Sequence, residues 1–127
     1  MFQIMVVEDD INARRLMQAV IEQNSYAAIP ASDGAEALAL MDKKHVDLIV
    51  LDVMMPHMDG YTLARELRSA GNNVPILMVT ARQSAKDKKE GFLAGTDDYM
   101  VKPVDEEEMM LRIAALLRRS RIVSERR

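Results

Sequence analysis

The stretch DLIVLDVMMPHMDG, residues 47–60, puts an acidic side chain in an unexpected place. Leu48 to Leu51 read as a strand buried on both faces, and Asp52 follows at once. Three other apolar runs end in residues of complementary chemistry. Glu8-Asp9-Asp10 follow MVV, Thr80 follows PILMV, and Lys102-Pro103 follow DDYMV. Taken singly, each has a plain reading: an Asp at a strand end is usually a helix cap or turn residue, and a lone Thr carries almost no signal. Jointly they bring carboxylates, a hydroxyl and an ammonium to the ends of four runs.

Carboxylates crowded together raise one another's pKa unless a cation sits among them. A hard divalent ion with oxygen ligands suits such a group. Mg2+ takes one or two protein carboxylates, keeps several waters and shares its shell with phosphate oxygens. Asp9 and Asp52 can ligate directly and Glu8 through water, while a backbone carbonyl just past Asp52, such as that of Met54, completes the protein's share. Lys102 and Thr80 then form the other half of a phosphoryl site. Transfer of a phosphoryl group depends on positioning and on stabilising the charge spread over its three oxygens. One oxygen can go to the metal, one to the Lys102 ammonium, and one to the Thr80 hydroxyl and nearby N–H groups. Asp52 is left as the nucleophile that becomes an acyl phosphate.

The elements that must position these residues are legible in the same pattern. Apolar runs QIMVV (3–7), YAAIPA (26–31), DLIVL (47–51), PILMVT (75–80) and DDYMV (97–101) alternate with segments of helical period. Those segments carry Ala13, Leu16, Met17 and Val20; Ala35, Leu38 and Met41; Leu63, Ala64 and Leu67; and Met109, Ile113 and Leu116. Five βα units predict an α/β fold, a doubly wound five-stranded parallel sheet with five helices and right-handed crossovers. Ser32-Asp33-Gly34 and Asp59-Gly60 mark helix starts, and Gly71-Asn72-Asn73 mark a helix end. Ligands of such a sheet bind beyond the carboxyl ends of its strands, where the four chemical clusters fall.

The whole chain narrows the chemistry further. Its 127 residues suit one domain, and its 49% hydrophobic and 29% charged residues are ordinary for a globular protein. No apolar run approaches the roughly 20 residues that span a bilayer. The start MFQIMVVEDD lacks the basic region of a signal peptide, so a cytoplasmic location without membrane attachment is expected. There is no Cys, and His45 and His57 are the only histidines, which leaves disulfides, thiolate metal sites, zinc clusters and Ser-His-Asp triads without support. The final RRSRIVSERR holds five basic residues and one acidic; residues 1–117 hold 12 basic against 19 acidic, which argues against a nucleic-acid surface on the body of the chain. Most of the 11 Met fall at core positions, with Met54, Met55 and Met58 in a loop.

With these residues placed, the sequence resembles a receiver domain of a two-component response regulator along essentially its whole length, from MVVEDD through DLIVLDVMMPHMDG and PILMVTA to GTDDYMVKP. The resemblance implies a flavodoxin-like sheet of order 2-1-3-4-5. It makes Asp52 the phospho-acceptor, Glu8 and Asp9 the acidic pair that holds Mg2+, Thr80 the switch hydroxyl and Lys102 the family's invariant lysine, with a cis bond to Pro103. Tyr99 matches the switch aromatic, which follows the Thr hydroxyl inward on phosphorylation and alters the face of the fourth helix, fifth strand and fifth helix. A sensor histidine kinase is the implied donor. Such a domain is not an enzyme on other substrates; it catalyses only its own phosphorylation and dephosphorylation.

The ending MMLRIAALLRRS is similar to the last helix and linker of OmpR/PhoB-type transcription factors. That likeness divides the chain into a receiver at 1–119 and a basic linker or tail at 120–127, with the winged-helix DNA-binding domain of that subfamily absent; the chain is then either a shortened form or a stand-alone receiver. It also implies a homodimer through the switch face on phosphorylation. Lys88 would cross to Glu108, and Asp97 or Asp98 to Arg112, with Phe92 and Met110 as the apolar patch between them. Solvated surface charges are the plainer reading of the same residues. Met54 and Arg82, two residues past Asp52 and Thr80, occupy positions that vary in the family and affect the phosphate's lifetime.

Two other functions fit less well. An aspartyl-nucleophile phosphohydrolase, similar to the haloacid dehalogenase class, needs a general acid two residues past the nucleophile, where Met54 stands, and a cap that no insertion here supplies. A flavin carrier needs a phosphate loop after the first strand, where the charge of EDD would repel the phosphate.

Overall fold

A computed structural model of the chain describes the backbone of residues 1–125 and side chains through Ser120. Five strands and five helices alternate: β1 (Gln3–Val7), α1 (Ile11–Gln23), β2 (Ala27–Ala31), α2 (Gly34–Met41), β3 (Leu48–Leu51), α3 (Gly60–Ser69), β4 (Ile76–Thr80), α4 (Ala85–Ala94), β5 (Asp98–Val101) and α5 (Glu106–Glu125). All pairings are parallel, in the order β2-β1-β3-β4-β5, as the resemblance implied. Helix α5 runs past residue 120, the expected start of a linker, and the side chains of the basic tail beyond Ser120 lie outside the described residues.

Helix starts follow local chemistry. Asp10, Asp33, Asp59 and Ser84 cap α1 to α4, each side chain accepting from N–H groups two or three residues on. Asp10, grouped by sequence with the acidic pair, is thus committed to capping. Gly95, with φ of 115°, closes α4 in the left-handed region that favours glycine.

Strand alternation divides the core. Met5, Val7, Ile49, Leu51, Ile76, Met78 and Tyr99 face the α2–α3–α4 side, while Ile4, Val6, Leu48, Val50, Leu77, Val79 and Met100 face α1 and α5. The predicted stripes hold for α3 and α5, with Leu63, Ala64, Leu67, Met109, Ile113 and Leu116 all buried. In α1 the stripe is rotated: Leu16 is exposed and Ile21 takes its place beside Met17 and Val20. In α2 Ala35 is exposed and Ala37 is buried. Short apolar-rich helices fit more than one stripe, and tertiary packing chooses between them.

Candidate functional site

The sheet delivers the site residues at its carboxyl edge. Val7 O accepts from Asp52 N (3.0 Å), Ala31 O from Glu8 N (3.1 Å), and Thr80 O from Lys102 N (2.8 Å), so the ladder continues into the loops that carry the chemistry. Lys102 Nζ donates to Glu8 Oε1 at 2.6 Å and to Asp52 Oδ2 at 3.2 Å. Met54 N donates to Asp52 Oδ1 (3.2 Å) and Asp10 N to Glu8 Oε2 (3.3 Å). The Arg14 guanidinium donates to the Glu8 carbonyl (2.8 Å), bracing the turn that carries the acidic pair. The bond between Lys102 and Pro103 is cis.

Burial sets the electrostatics. Glu8, Asp52 and Thr80 are buried and Asp9 is exposed. Burial pushes the Glu8 carboxyl up to about 7; the Lys102 hydrogen bond partly offsets this, and the neighbouring Asp52 adds to it. Lys102 loses solvation on burial, but Glu8 and Asp52 outweigh this and hold its pKa above the ordinary lysine value. Carboxylate oxygens of Glu8, Asp9 and Asp52 lie within 4.8 Å of one another. This hard-oxygen set fits a divalent cation such as Mg2+. Both Glu8 oxygens already accept protein hydrogen bonds, whereas Asp9 accepts none with its side chain among the described residues, which leaves Asp9 more available for direct ligation.

Thr80 Oγ1 accepts from Arg82 N at 3.4 Å. Tyr99 is buried, and its hydroxyl donates to the Arg82 carbonyl at 2.9 Å and lies 3.4 Å from the Tyr61 hydroxyl. Burial, and then the Tyr61 hydroxyl, hold the Tyr99 phenol far above its ordinary pKa, so it stays a neutral donor.

On the face of α4, β5 and α5, the residues divide. Lys88 and Phe92 are exposed. Arg112 binds Asp98 through both carboxylate oxygens (2.9 Å each) and Glu108 (2.9 Å) within its own chain. Asp97 instead accepts from Arg68 (2.9 Å) and from Ile76 N (2.8 Å), a structural role. Met110 does not lie between Phe92 and the charges: it packs against the α1–α5 cluster. At 3.6 residues per turn, position 110 is about 200° around the axis from Glu108, whereas Leu111, one turn on, shares that side. Leu111 is exposed.

Residues that sequence reasoning passed over also act here. Gly60 lets α3 sit on the acceptor strand's end, since a Cβ there would lie 2.5 Å from the Asp52 carbonyl oxygen. The adjacent Asp59-Gly60 cap signal pointed to a helix start but not to this approach. Arg68 donates to the carbonyls of Gly95, Asn72 and Val74, and nothing in its local sequence marks that role.

Residues 4–114 match the family described as response regulator receiver domain. The chain is 44% identical over 119 residues to "Response regulator MprA" of Mycobacterium leprae (strain TN), covering 94% of this chain and 52% of that protein. It therefore spans about half the length of the relatives it matches. The Francisella response regulator 1452 receiver domain superposes with a TM-score of 0.91 at 34% identity, covering 94% of this chain and 99% of that one. Chemotaxis protein CheY4 of Vibrio cholerae gives 0.86 at 31% identity, over 91% and 98%.

Proposed function

The chain belongs to the response regulator receiver domain family of two-component systems, and from that premise we propose that Asp52 accepts a phosphoryl group from a sensor histidine kinase in the presence of Mg2+. An Asp52 carboxylate oxygen attacks phosphorus, the P–N bond to the kinase imidazole breaks, and the phosphoryl group ends as an acyl phosphate on Asp52. The observation that carries this reading is the convergence on Asp52 of Lys102, at 3.2 Å, with Glu8 and Asp9 inside the same 4.8 Å group. Asp9, Asp52 and the Met54 carbonyl would hold Mg2+, with Glu8 acting through water. When bound, the ion supplies charge neutralisation for the phosphoryl oxygens. Lys102 binds a second oxygen, already aimed by its bonds to Glu8 and Asp52, and the Thr80 hydroxyl takes the third.

The output is a change of the α4–β5–α5 face that favours a homodimer, with Lys88 crossing to Glu108 and Phe92 meeting Leu111. Arg112 already holds its own Asp98, so crossing to a partner's aspartate exchanges one bidentate pair for another. Net dimer affinity then rests mainly on the apolar contacts and the Lys88 pair. Residues 1–119 would act as the receiver of a cytoplasmic regulator; in a longer form of the length of its MprA relatives, a DNA-binding domain would follow the basic stretch from residue 120, along which α5 continues to Glu125.

Incubation with acetyl phosphate and Mg2+ tests the assignment by intact-mass spectrometry. One added phosphoryl group is expected, lost in Asp52→Asn and in a chelator. Equal labelling of Asp52→Asn would overturn the acceptor assignment, and undiminished labelling in the chelator would overturn the metal's role.

A further inference from the structure

Arg14 stands half-buried in the first turn of α1, just past the three acids Glu8, Asp9 and Asp10. A guanidinium in such company ordinarily pairs with a carboxylate. Among the described residues Arg14 forms no ion pair. Its Nη1 donates instead to the Glu8 backbone carbonyl at 2.8 Å, with the Asp9 carbonyl as a longer second contact at 3.5 Å.

The three acids differ in what else holds them. The Asp10 side chain accepts from the N–H groups of Asn12 (2.8 Å) and Ala13 (3.1 Å), and its carbonyl accepts from Arg14 N at 2.9 Å. Glu8 N donates to the Ala31 carbonyl, and the Glu8 carboxylate accepts from Lys102 and from Asp10 N. Asp9 has far less: among the described residues its one hydrogen bond is the contact from Arg14. Its carboxylate is exposed and belongs to the group with Glu8 and Asp52. A backbone segment so lightly held loses conformational freedom when its side chain binds an ion, unless something has already fixed it.

We propose that Arg14 is a positioning residue for cation binding. By holding the Glu8 and Asp9 carbonyls it fixes the turn, so that the Asp9 carboxylate stands beside Asp52 without itself being paired. This rests on the reading of Glu8, Asp9 and Asp52 as the Mg2+ group. The sign of the effect separates a brace from a bare charge. A nearby positive charge repels a divalent ion, so on charge alone the loss of Arg14 would tighten Mg2+ binding. Loss of a brace weakens it.

Titration of the 15N-labelled chain with MgCl2 at fixed ionic strength, followed by amide shifts around Asp52, measures the affinity. Arg14→Ala is expected to raise the Mg2+ Kd about fivefold, the ratio that ordering one loosened residue gives. Arg14→Lys, which keeps the charge as a compact, strongly hydrated ammonium, should also bind more weakly than wild type. Circular dichroism verifies folding, and Arg14→Lys decides the matter if Arg14→Ala does not fold. Binding in the folded variant that is as tight as wild type, or tighter, overturns the proposal. A wild type whose amides do not respond to Mg2+ is a different failure: it overturns the metal reading itself, and the role of Arg14 toward the ion with it. Hydrogen exchange in a chelator supplies a readout without metal. The Asp9 and Asp10 amides should exchange faster in Arg14→Ala while those of Val20 and Ile21 keep their wild-type rates. Equal acceleration along all of α1 would make Arg14 a support of the helix rather than of the turn, and would likewise overturn the proposal.

Discussion

Helices α4 and α5 flank the same edge strand, β5, yet they are anchored by different means. Helix α5 buries Met109, Ile113, Leu116 and Leu117 against the sheet, whereas α4 buries only Gly91 and Ala94, leaving Phe92 and Leu93 exposed. Area removed from water is the main source of local stability, so α5 is fixed by its core and α4 is not. Polar contacts substitute in α4: the Tyr61 hydroxyl at its first turn, and Arg68 bound to the carbonyl of its cap residue, Gly95. A helix held by a few directional bonds can change position when one of them changes. A helix held by four large side chains resists this. The difference places the mobile element beside Tyr99 and the β4–α4 loop, and the rigid one beneath it.

The largest effect should come from the core of α5. Ile113→Ala is expected to cost about 2–5 kcal/mol in urea unfolding, and Phe92→Ala in α4 no more than about 0.5 kcal/mol. Equal losses would break the contrast. Next, Arg68→Ala removes the bonds to Gly95, Asn72, Val74 and Asp97 and should cost about 2 kcal/mol. Hydrogen exchange should show its effect concentrated in α4 rather than α5; uniform acceleration would mean that Arg68 supports the whole fold.

The site at the carboxyl edge of the sheet has its own pH signature. Glu8 is raised from its unfolded value of 4.5 to about 7, so without metal the folded domain binds the Glu8 proton more tightly than the unfolded chain does. That contribution to stability is fully present below pH 4.5 and is lost as pH rises to about 7. Wild type minus Glu8→Gln, followed by thermal unfolding in a chelator, should decline across that window, and Mg2+ should flatten the decline. A flat difference without metal would contradict the assigned burial cost. The smallest effect belongs to α4's exposed face: Lys88→Glu should weaken phosphorylation-dependent dimerisation by about fivefold or less, as a surface pair gives. Sedimentation velocity reads this, and an unchanged dimer would remove Lys88 from the interface.

What could be read in advance divides along similar lines. Glu8, Asp9, Asp52, Thr80 and Lys102 were legible because each ends an apolar run, and run ends of a parallel sheet share one edge. The caps Asp33 and Asp59 were legible because their chemistry is local. Arg68 and Tyr61 were not, since each meets residues on another element and no period in the chain records the meeting. Met110 and Leu111 show a finer limit: both are apolar and adjacent on α5, and only the packed helix shows which one turns outward.

The most direct test of the central claim is chemical. Phosphorylated protein reduced with borohydride converts an acyl phosphate on aspartate to homoserine, which peptide mass spectrometry locates. Homoserine at position 52, and at no other acidic residue, is the expected result; an unreduced Asp52 with homoserine at Asp9 or elsewhere would contradict the account.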